Sequence, residues 1–497
     1  MPPSRALYRR ERSPMSGLGR RGDALAGLSE RSFDVLVVGG GIVGAGVLLE
    51  ATLRGYRAAL VERNDFASGT SSRSSKLVHG GLRYLARGEV GIVRDALRER
   101  ANLLRRAPSL VRPMPHVFPL RSQVHRLAVR ATLTLYDRLG SHPAHTLVSR
   151  DEIAARDPDL ARLAPFGAAR YHEAQADDTR LVFATLVAAV ERGAIVANHI
   201  AALRRRRWGD RVRTALRDER GGATIEVEAR CVVVAVGAHF GDARADFDWR
   251  AMALRPAKGI HAVLRVTPRD ANVLIRSPRD GRYLNTLPWH GHVLAGTTDT
   301  PASREEIDDP RPSAEDVAYV LDAVRPLYPD SDKRVRAAWA GIRPLINAGG
   351  ATTVGLSRED EIASPEPGVL AVAGGKMTTY QAMARRTMDL VDRNIGRRRA
   401  SEEAPLDDPL PPSGKRLVSD APFTRGELEA AARDGMVETL DDLLTQRVGI
   451  TLVAPDAVRE HARDWAKVVA PILGWDESRV ARETEDVRTR AARFAPP

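Results

Sequence analysis

FDVLVVGGGIVGAG, residues 33–46, carries the pattern of a strand, a glycine turn and the start of a helix. Phe33 to Val38 is a short apolar run that stops at glycine, as a buried parallel strand does. Gly39, Gly41 and Gly44 then fall on the pattern G-x-G-x-x-G. The first glycine allows the tight turn, the second lets a pyrophosphate approach the backbone, and the third lets the helix pack close to the sheet. The helix N-terminus offers free N–H groups and a positive dipole end to the phosphates. The helix continues over Ala45–Arg54 and stops at Gly55, and Tyr56–Val61 is a second strand. Glu62 ends that strand 18 residues beyond Gly44, the spacing of an acid that accepts a ribose hydroxyl. Strand, glycines, helix, second strand and terminal acid in this order predict a dinucleotide site. The acid disfavours a 2′-phosphate such as that of NADP.

The next segment, NDFASGTSSRSSKLVHGGLRYL over residues 64–85, is too polar for a core element and too long for an idle loop. Thr70, Ser71 and Ser72 offer hydroxyls to phosphates and ring heteroatoms. Gly80 and Gly81, followed by Leu82, allow the backbone to approach a flat ring. All six are candidate cofactor contacts.

The chain has 497 residues, so two or three domains are expected. Its formal charge of +12 admits nucleic acid, an anionic membrane or an anionic substrate as partner. Aromatics make up only 5%, with no aromatic-interleaved basic stripe, so no nucleic-acid partner is expected. Cys231 is the one cysteine and sits in the apolar run CVVVAVG. It reads as a buried residue of a reducing cytoplasm, and no metal site is expected. No apolar run approaches the roughly 18–20 residues of a membrane span. Residues 1–32 hold seven arginines against three acids, and no apolar segment follows either arginine pair. They read as a disordered basic leader.

Two basic amphipathic helices are expected, over residues 92–106 and 121–140. Either could rest on an anionic bilayer. The run Arg204–Arg207 reads as part of an exposed turn, and Ile225–Ala235 as a strand ending near Gly237. Residues 254–350 alternate short apolar runs with turns and predict a mostly antiparallel sheet. GVLAVAGGKMTTY, residues 368–380, repeats strand, glycine turn and helix start, with Gly374, Gly375 and Lys376 in the turn. A proline-rich linker follows, then helices that include capping-box spacings at Thr424–Glu427 and Thr439–Asp442.

VVGGGIVGAG followed by VERNDFASGTSSRSSKLVHGGLRYL closely resembles the FAD-dependent glycerol-3-phosphate dehydrogenases, a branch of the flavoproteins related to D-amino-acid oxidase. LRPAKGIH, GTTDT, WAGIRPL, LSREDEI, GGKMTTY and ETLDDLLTQR resemble the same family in the same order, over about residues 33–480. Glu359 departs from the usual acid after Arg358, and Val236 and His239 depart from the usual Thr and Trp around Gly237. The resemblance implies an α/β fold. A discontinuous Rossmann-like FAD-binding domain (about 33–96, 172–250 and 351–395) carries an inserted, mostly antiparallel substrate domain (about 97–171 and 251–350). A linker over 396–422 and a C-terminal helical domain over 423–497 complete it.

The resemblance further implies oxidation of sn-glycerol 3-phosphate to dihydroxyacetone phosphate by hydride transfer to FAD, with electrons passed to membrane quinone. The enzyme would be cytoplasmic and peripheral on the inner face of the membrane; a homodimer is left open. Holding a phosphate dianion calls for Arg and Lys. Arg83, Arg343, Arg358 and Lys376 lie in the segments expected to converge, and Tyr84 can donate a hydrogen bond. His261 is the candidate base, Arg343 the stabiliser of the developing alkoxide, and Lys376 a further catalytic candidate. Rivals are an oxygen-using glycerol-3-phosphate oxidase, a related amine or amino-acid oxidase, and a flavin-fold binding module without turnover.

Overall fold

The computed structural model describes residues 17–140, 142–240, 254–346, 360–396 and 400–497. The apolar run at Phe33–Val38 is fully buried because both faces of its sheet are covered. Eight described strands form that sheet. Its main path runs Asp360–Glu366, Val369–Gly374, Thr224–Val234, Phe33–Val38, Ala58–Val61 and Ile195–Ala197. Phe33–Val38 pairs in parallel with Thr224–Val234 and Ala58–Val61, which brings Gly39, Val234 and Glu62 to one end. The helices Ile42–Leu53, Asp178–Val190 and Tyr380–Ile395 pack together on one face of it. Gly44 sits where a Cβ would overlap the Gly39 carbonyl, so this helix could not otherwise approach its strand.

Ten described strands form the second sheet, mostly antiparallel. Leu254–Leu264 pairs with Val335–Ile346 along nearly its whole length, which sets Lys258 opposite Ile342, Gly259 opposite Gly341 and His261 opposite Trp339. One face of this strand pair packs on the helix Ala314–Val324. Side chains alternate along a strand, so His261 and Lys258 point to opposite faces. Lys258 pairs with Glu306 at 2.6 Å and Asp316 at 3.1 Å on the helix side. The other face carries His261 and turns toward the first sheet.

Three expectations change. Residues 17–32 are not a solvated tail: Arg21–Glu30 is helical, Leu28 is buried, and Arg21 pairs with Asp218 at 2.5 Å. Residues 1–16 lie outside the described residues. Arg204–Arg207 lies in the strand Ile200–Trp208, and only Gly209–Asp210 turns. Arg205 is held by Glu366 at 2.5 Å across the sheet edge. The strand Ala168–Ala176 belongs to the second sheet, so a boundary at residue 172 would cut it.

The proline-rich stretch over 400–422 is pinned rather than loose. Leu406 donates to Arg106 O at 2.7 Å, and Leu406 and Leu410 are fully buried. The C-terminal helices Arg425–Asp434, Pro455–Leu473 and Glu477–Ala491 share one apolar core with the first sheet. The Thr424–Glu427 capping box is formed. ETLDDLLTQR passes into a π-helical turn at Asp442–Arg447.

Candidate active site

The parallel strands end on a cavity of about 650 Å³, within the usual range for a small-molecule or cofactor site. Gly39, Gly41, Glu62, Thr70, Ser71, Gly237, Gly374, Gly375 and Lys376 all line it. Ser71 Oγ accepts from Ile42 N at 3.0 Å, at the start of the glycine-turn helix. Thr70 Oγ1 donates to Ile342 O at 2.5 Å and so ties the hydroxyl-rich loop to the second sheet. The Glu62 carboxylate accepts from Gly40 N at 2.6 Å and Asn64 N at 2.9 Å, which fixes it at the cavity wall.

Other expected cofactor contacts do not reach that wall. Gly44 serves helix–strand packing. Ser72 is buried, with its carbonyl accepting from Lys76 Nζ at 2.8 Å. Gly80 donates to Glu173 at 3.1 Å, and Gly81 sits at φ +79° against the Tyr84 ring, with Leu82 following. These residues shape the loop from behind.

The pairing of Leu254–Leu264 with Val335–Ile346 brings two expected residues together. Arg343 leans across Gly259, where a Cβ would overlap its guanidinium. It donates to Thr297 Oγ1 at 3.0 Å and Thr298 O at 3.2 Å, with Asp299 at 3.4 Å. Burial, together with the charges of Arg83 and Arg282, lowers its pKa, although Asp299 opposes this. His261, two residues from Gly259 on the same face, stacks on Trp339 with centroids 4.5 Å apart. Its Nε2 meets Ser75 Oγ at 2.9 Å, while Nδ1 is buried with no hydrogen-bond partner among the described residues. Burial first, then Arg343 and Lys76, hold its pKa well below the ordinary histidine value. These surroundings favour the neutral ring.

Lys376 meets the other loop. Its Nζ lies 4.0 Å from the Tyr84 ring centroid, and Arg83 lies 5.4 Å from the same ring. Arg83 and Lys376 thus flank the Tyr84 ring, the Arg83 charge is also felt at Arg343, and of these residues Lys376 lines the cavity. Arg358 lies outside the described residues.

The sequence did not single out what holds this region in place. Lys76 and Asp178 form a buried pair at 2.6 Å, and Asp178 also accepts from Ser74 Oγ at 2.7 Å. Lys76 Nζ lies 5.3 Å from the Trp339 ring. The second acid of the run QADDTR, at a helix N-terminus, was the available signal. Glu173 accepts from Arg100 at 2.5 Å, Tyr136 at 2.5 Å and Gly80 N, and so anchors the HGGLRY loop. Asp65, His199 and Asp442 form a compact polar group, but Arg447 takes both Asp65 oxygens at 2.5 and 2.7 Å. That fork makes the group an interdomain ion-pair network rather than a metal cage.

A glycine-turn cavity at the carboxyl ends of parallel strands, closed by a second sheet that presents cations, defines a flavin-dependent oxidoreductase. A family profile described as FAD dependent oxidoreductase matches residues 34–390. A second, described as the C-terminal domain of alpha-glycerophosphate oxidase, matches residues 384–480. Glycerol-3-phosphate dehydrogenase 2 of Mycobacterium tuberculosis is 35% identical, with 96% of this chain and 91% of that protein covered. Aerobic glycerol-3-phosphate dehydrogenase of Staphylococcus saprophyticus is 34% identical, over 74% of this chain and 68% of that protein. The crystal structure of the glycerol-3-phosphate dehydrogenase from Bacillus halodurans, complexed with FAD, superposes with a TM-score of 0.77 at 25% identity, covering 97% of this chain and 99% of that one.

The chain belongs to the FAD-dependent glycerol-3-phosphate dehydrogenase family. The residues present fit FAD: the glycine turns, Glu62 and the helix N-terminus match the needs of a dinucleotide in a cavity of this size.

Proposed function

We propose that the chain oxidises sn-glycerol 3-phosphate to dihydroxyacetone phosphate and delivers the electrons to a membrane quinone. The observation that carries this reading is the cation cluster of Arg83, Arg343 and Lys376 beside the cofactor cavity, where Arg83 helps burial to lower the Arg343 pKa. Such a cluster is relieved by a phosphate dianion. When bound, FAD would supply the two-electron acceptor for this oxidation.

The protein's own groups bind, orient and move the proton. Arg83, Arg343 and Lys376 hold the phosphate, with Arg358 as a further candidate, and Tyr84 packs under the Lys376 ammonium. His261 Nε2 lies 2.9 Å from Ser75 Oγ; in the tautomer that puts the proton on Nε2, Nδ1 is left to accept the hydroxyl proton. Its low pKa keeps that nitrogen unprotonated before substrate arrives, and the incoming dianion offsets Arg343 and so raises its basicity. Arg343 stabilises the oxygen as it loses its proton.

No described helix is long and apolar enough to cross a membrane. The membrane contact we propose is the helix Gln123–Arg138. Val124 and Leu127 are 78% and 66% exposed on it, with Leu135 also exposed and Arg121, Arg130 and Arg138 alongside. Apolar residues flanked by arginines suit an anionic bilayer.

Steady-state assays with glycerol 3-phosphate against glycine and other amino acids, each with a soluble quinone or with air, test the reading. Turnover of glycerol 3-phosphate with quinone is expected. Peroxide release in air would make the enzyme an oxidase. Turnover of amino acids alone would replace the proposed substrate.

A further inference from the structure

Arg73 occupies an unusual electrical position in the cavity wall. It leaves the turn Thr70–Ser72 with its N–H bonded to Thr70 O at 3.1 Å. Its Cβ and carbonyl press on Gly341, where a Cβ would come within 2.7 and 2.8 Å of them. The base of the side chain is thus wedged between the hydroxyl-rich loop and the second sheet. The guanidinium ends 4.5 Å from the centroid of the Phe494 ring, and both residues line the cavity. Its Nε donates to Ser72 Oγ at 3.3 Å. Among the described residues no carboxylate forms an ion pair with it.

The neighbouring acids are already matched. Asp441 pairs with Arg490 at 3.0 Å, Asp309 with Arg493 at 3.5 Å, Asp442 with His199 at 2.9 Å, and Asp178 with Lys76. Enclosure lowers the Arg73 pKa to about 10, with Asp441, Asp178 and Asp309 pulling the other way at longer range. Arg73 is partly buried on the cavity wall and has no ion-pair partner among the described residues, so its charge is available to an anion in the cavity. Ser71, two residues earlier, already bonds the helix start where a diphosphate is expected.

We propose that Arg73, seated on Phe494, anchors the cofactor's diphosphate, so that the segment Arg490–Phe494 is part of the cofactor site. This rests on the reading that FAD occupies the cavity. The segment lies beyond residue 480, where the second family profile stops. Phe494 is reached through the C-terminal helix Glu477–Ala491, and Arg490 and Arg493 tie it to Asp441 and Asp309. The C-terminal helices therefore brace a cation that the hydroxyl-rich loop supplies.

The test is flavin release from the purified holoenzyme, followed as free flavin fluorescence during dialysis at low and high salt. Arg73→Gln and Phe494→Ala are expected to release FAD about tenfold faster or more than the parent, with Arg73→Lys in between. High salt should speed release from the parent and have little further effect on Arg73→Gln. Release rates equal to the parent would overturn the proposal. A second measurement guards against a damaged cavity: binding of FAD and of riboflavin, which lacks phosphates, to each apoprotein. Arg73→Gln should weaken FAD and leave riboflavin unchanged; equal weakening of both would overturn the diphosphate assignment. The melting temperature of the Arg73→Gln apoprotein should match the parent, while its rise on adding FAD should be smaller; an equal rise would count against the anchor. A parent protein that purifies without FAD and fails to bind it would instead remove the cofactor reading itself.

Discussion

Lys376 Nζ lies 4.0 Å from the centroid of the Tyr84 ring. The two residues come from glycine turns almost 300 positions apart, and their contact joins the first and last passes of the chain through the cofactor region. His79 N donates to Thr378 Oγ1 at 3.0 Å just behind them. This part of the cavity's surroundings is therefore assembled by the fold rather than carried on one loop.

Arg343→Ala should raise the KM for glycerol 3-phosphate by about 100-fold or abolish turnover, because a charge-assisted phosphate contact is lost. Arg343→Lys should not restore it, since a lysine cannot lean across Gly259 and also donate to Thr297 and Thr298. Kinetics like those of the parent enzyme would discard the phosphate role.

His261→Ala should lower kcat by about 10² to 10⁴ while the flavin content stays near that of the parent, as expected for a lost general base. Because burial and the Arg343 and Lys76 charges push the His261 pKa down, the acid limb of kcat/KM should lie well below pH 6.5. An acid limb centred at an ordinary histidine value would show that another group is the base.

Stability should fall on acidification from about pH 6.5 toward 4. Burial is the chief cause: it pushes His116 down to about 4, His290 to about 4, and His261 well down. The unfolded chain takes up these protons near pH 6.5 and the native state does not, so lowering the pH favours unfolding. His199 has the opposite sign. Burial pulls its pKa down, but the hydrogen bond and charge contact with Asp442 outweigh that and raise it. Its contribution is therefore complete below pH 6.5 and fades as pH rises through the native value. Melting temperatures at pH 7 and pH 5 check the balance; a higher value at pH 5 would contradict it.

Arg447→Ala should destabilise the protein by about 3–5 kcal/mol, because it strands the buried Asp65 carboxylate between the first sheet and the C-terminal helices. Adding Asp65→Asn should recover part of that loss. Urea midpoints of the two variants provide the measurement, and a midpoint unmoved by Arg447→Ala would mean the network does not join the two units energetically.

Much of the cofactor site was legible because its chemistry demands local patterns. A glycine turn between a strand and a helix, as at Gly39–Gly44 and Gly374–Lys376, is written in consecutive residues. So was the antiparallel character of residues 254–346, through alternation. The supports were not legible, because Lys76–Asp178, Glu173–Arg100 and Asp65–Arg447 are pairs across long separations with no periodic signature. The helix Arg21–Glu30 was missed because only Gly27 and Leu28 are buried, too few to show an apolar stripe. Arg204–Arg207 hid a strand because like charges masked its alternation, although Arg205 and Arg207 reach Glu366 and Pro367 at the neighbouring edge.

Glycerol 3-phosphate is expected to reduce a flavin held at this site. The decisive experiment adds glycerol 3-phosphate to the yellow protein under anaerobic conditions and follows the flavin absorbance. Stoichiometric bleaching is expected, and Arg343→Ala should slow or prevent it. A flavin that stays oxidised with glycerol 3-phosphate but bleaches with an amine or amino acid would contradict it.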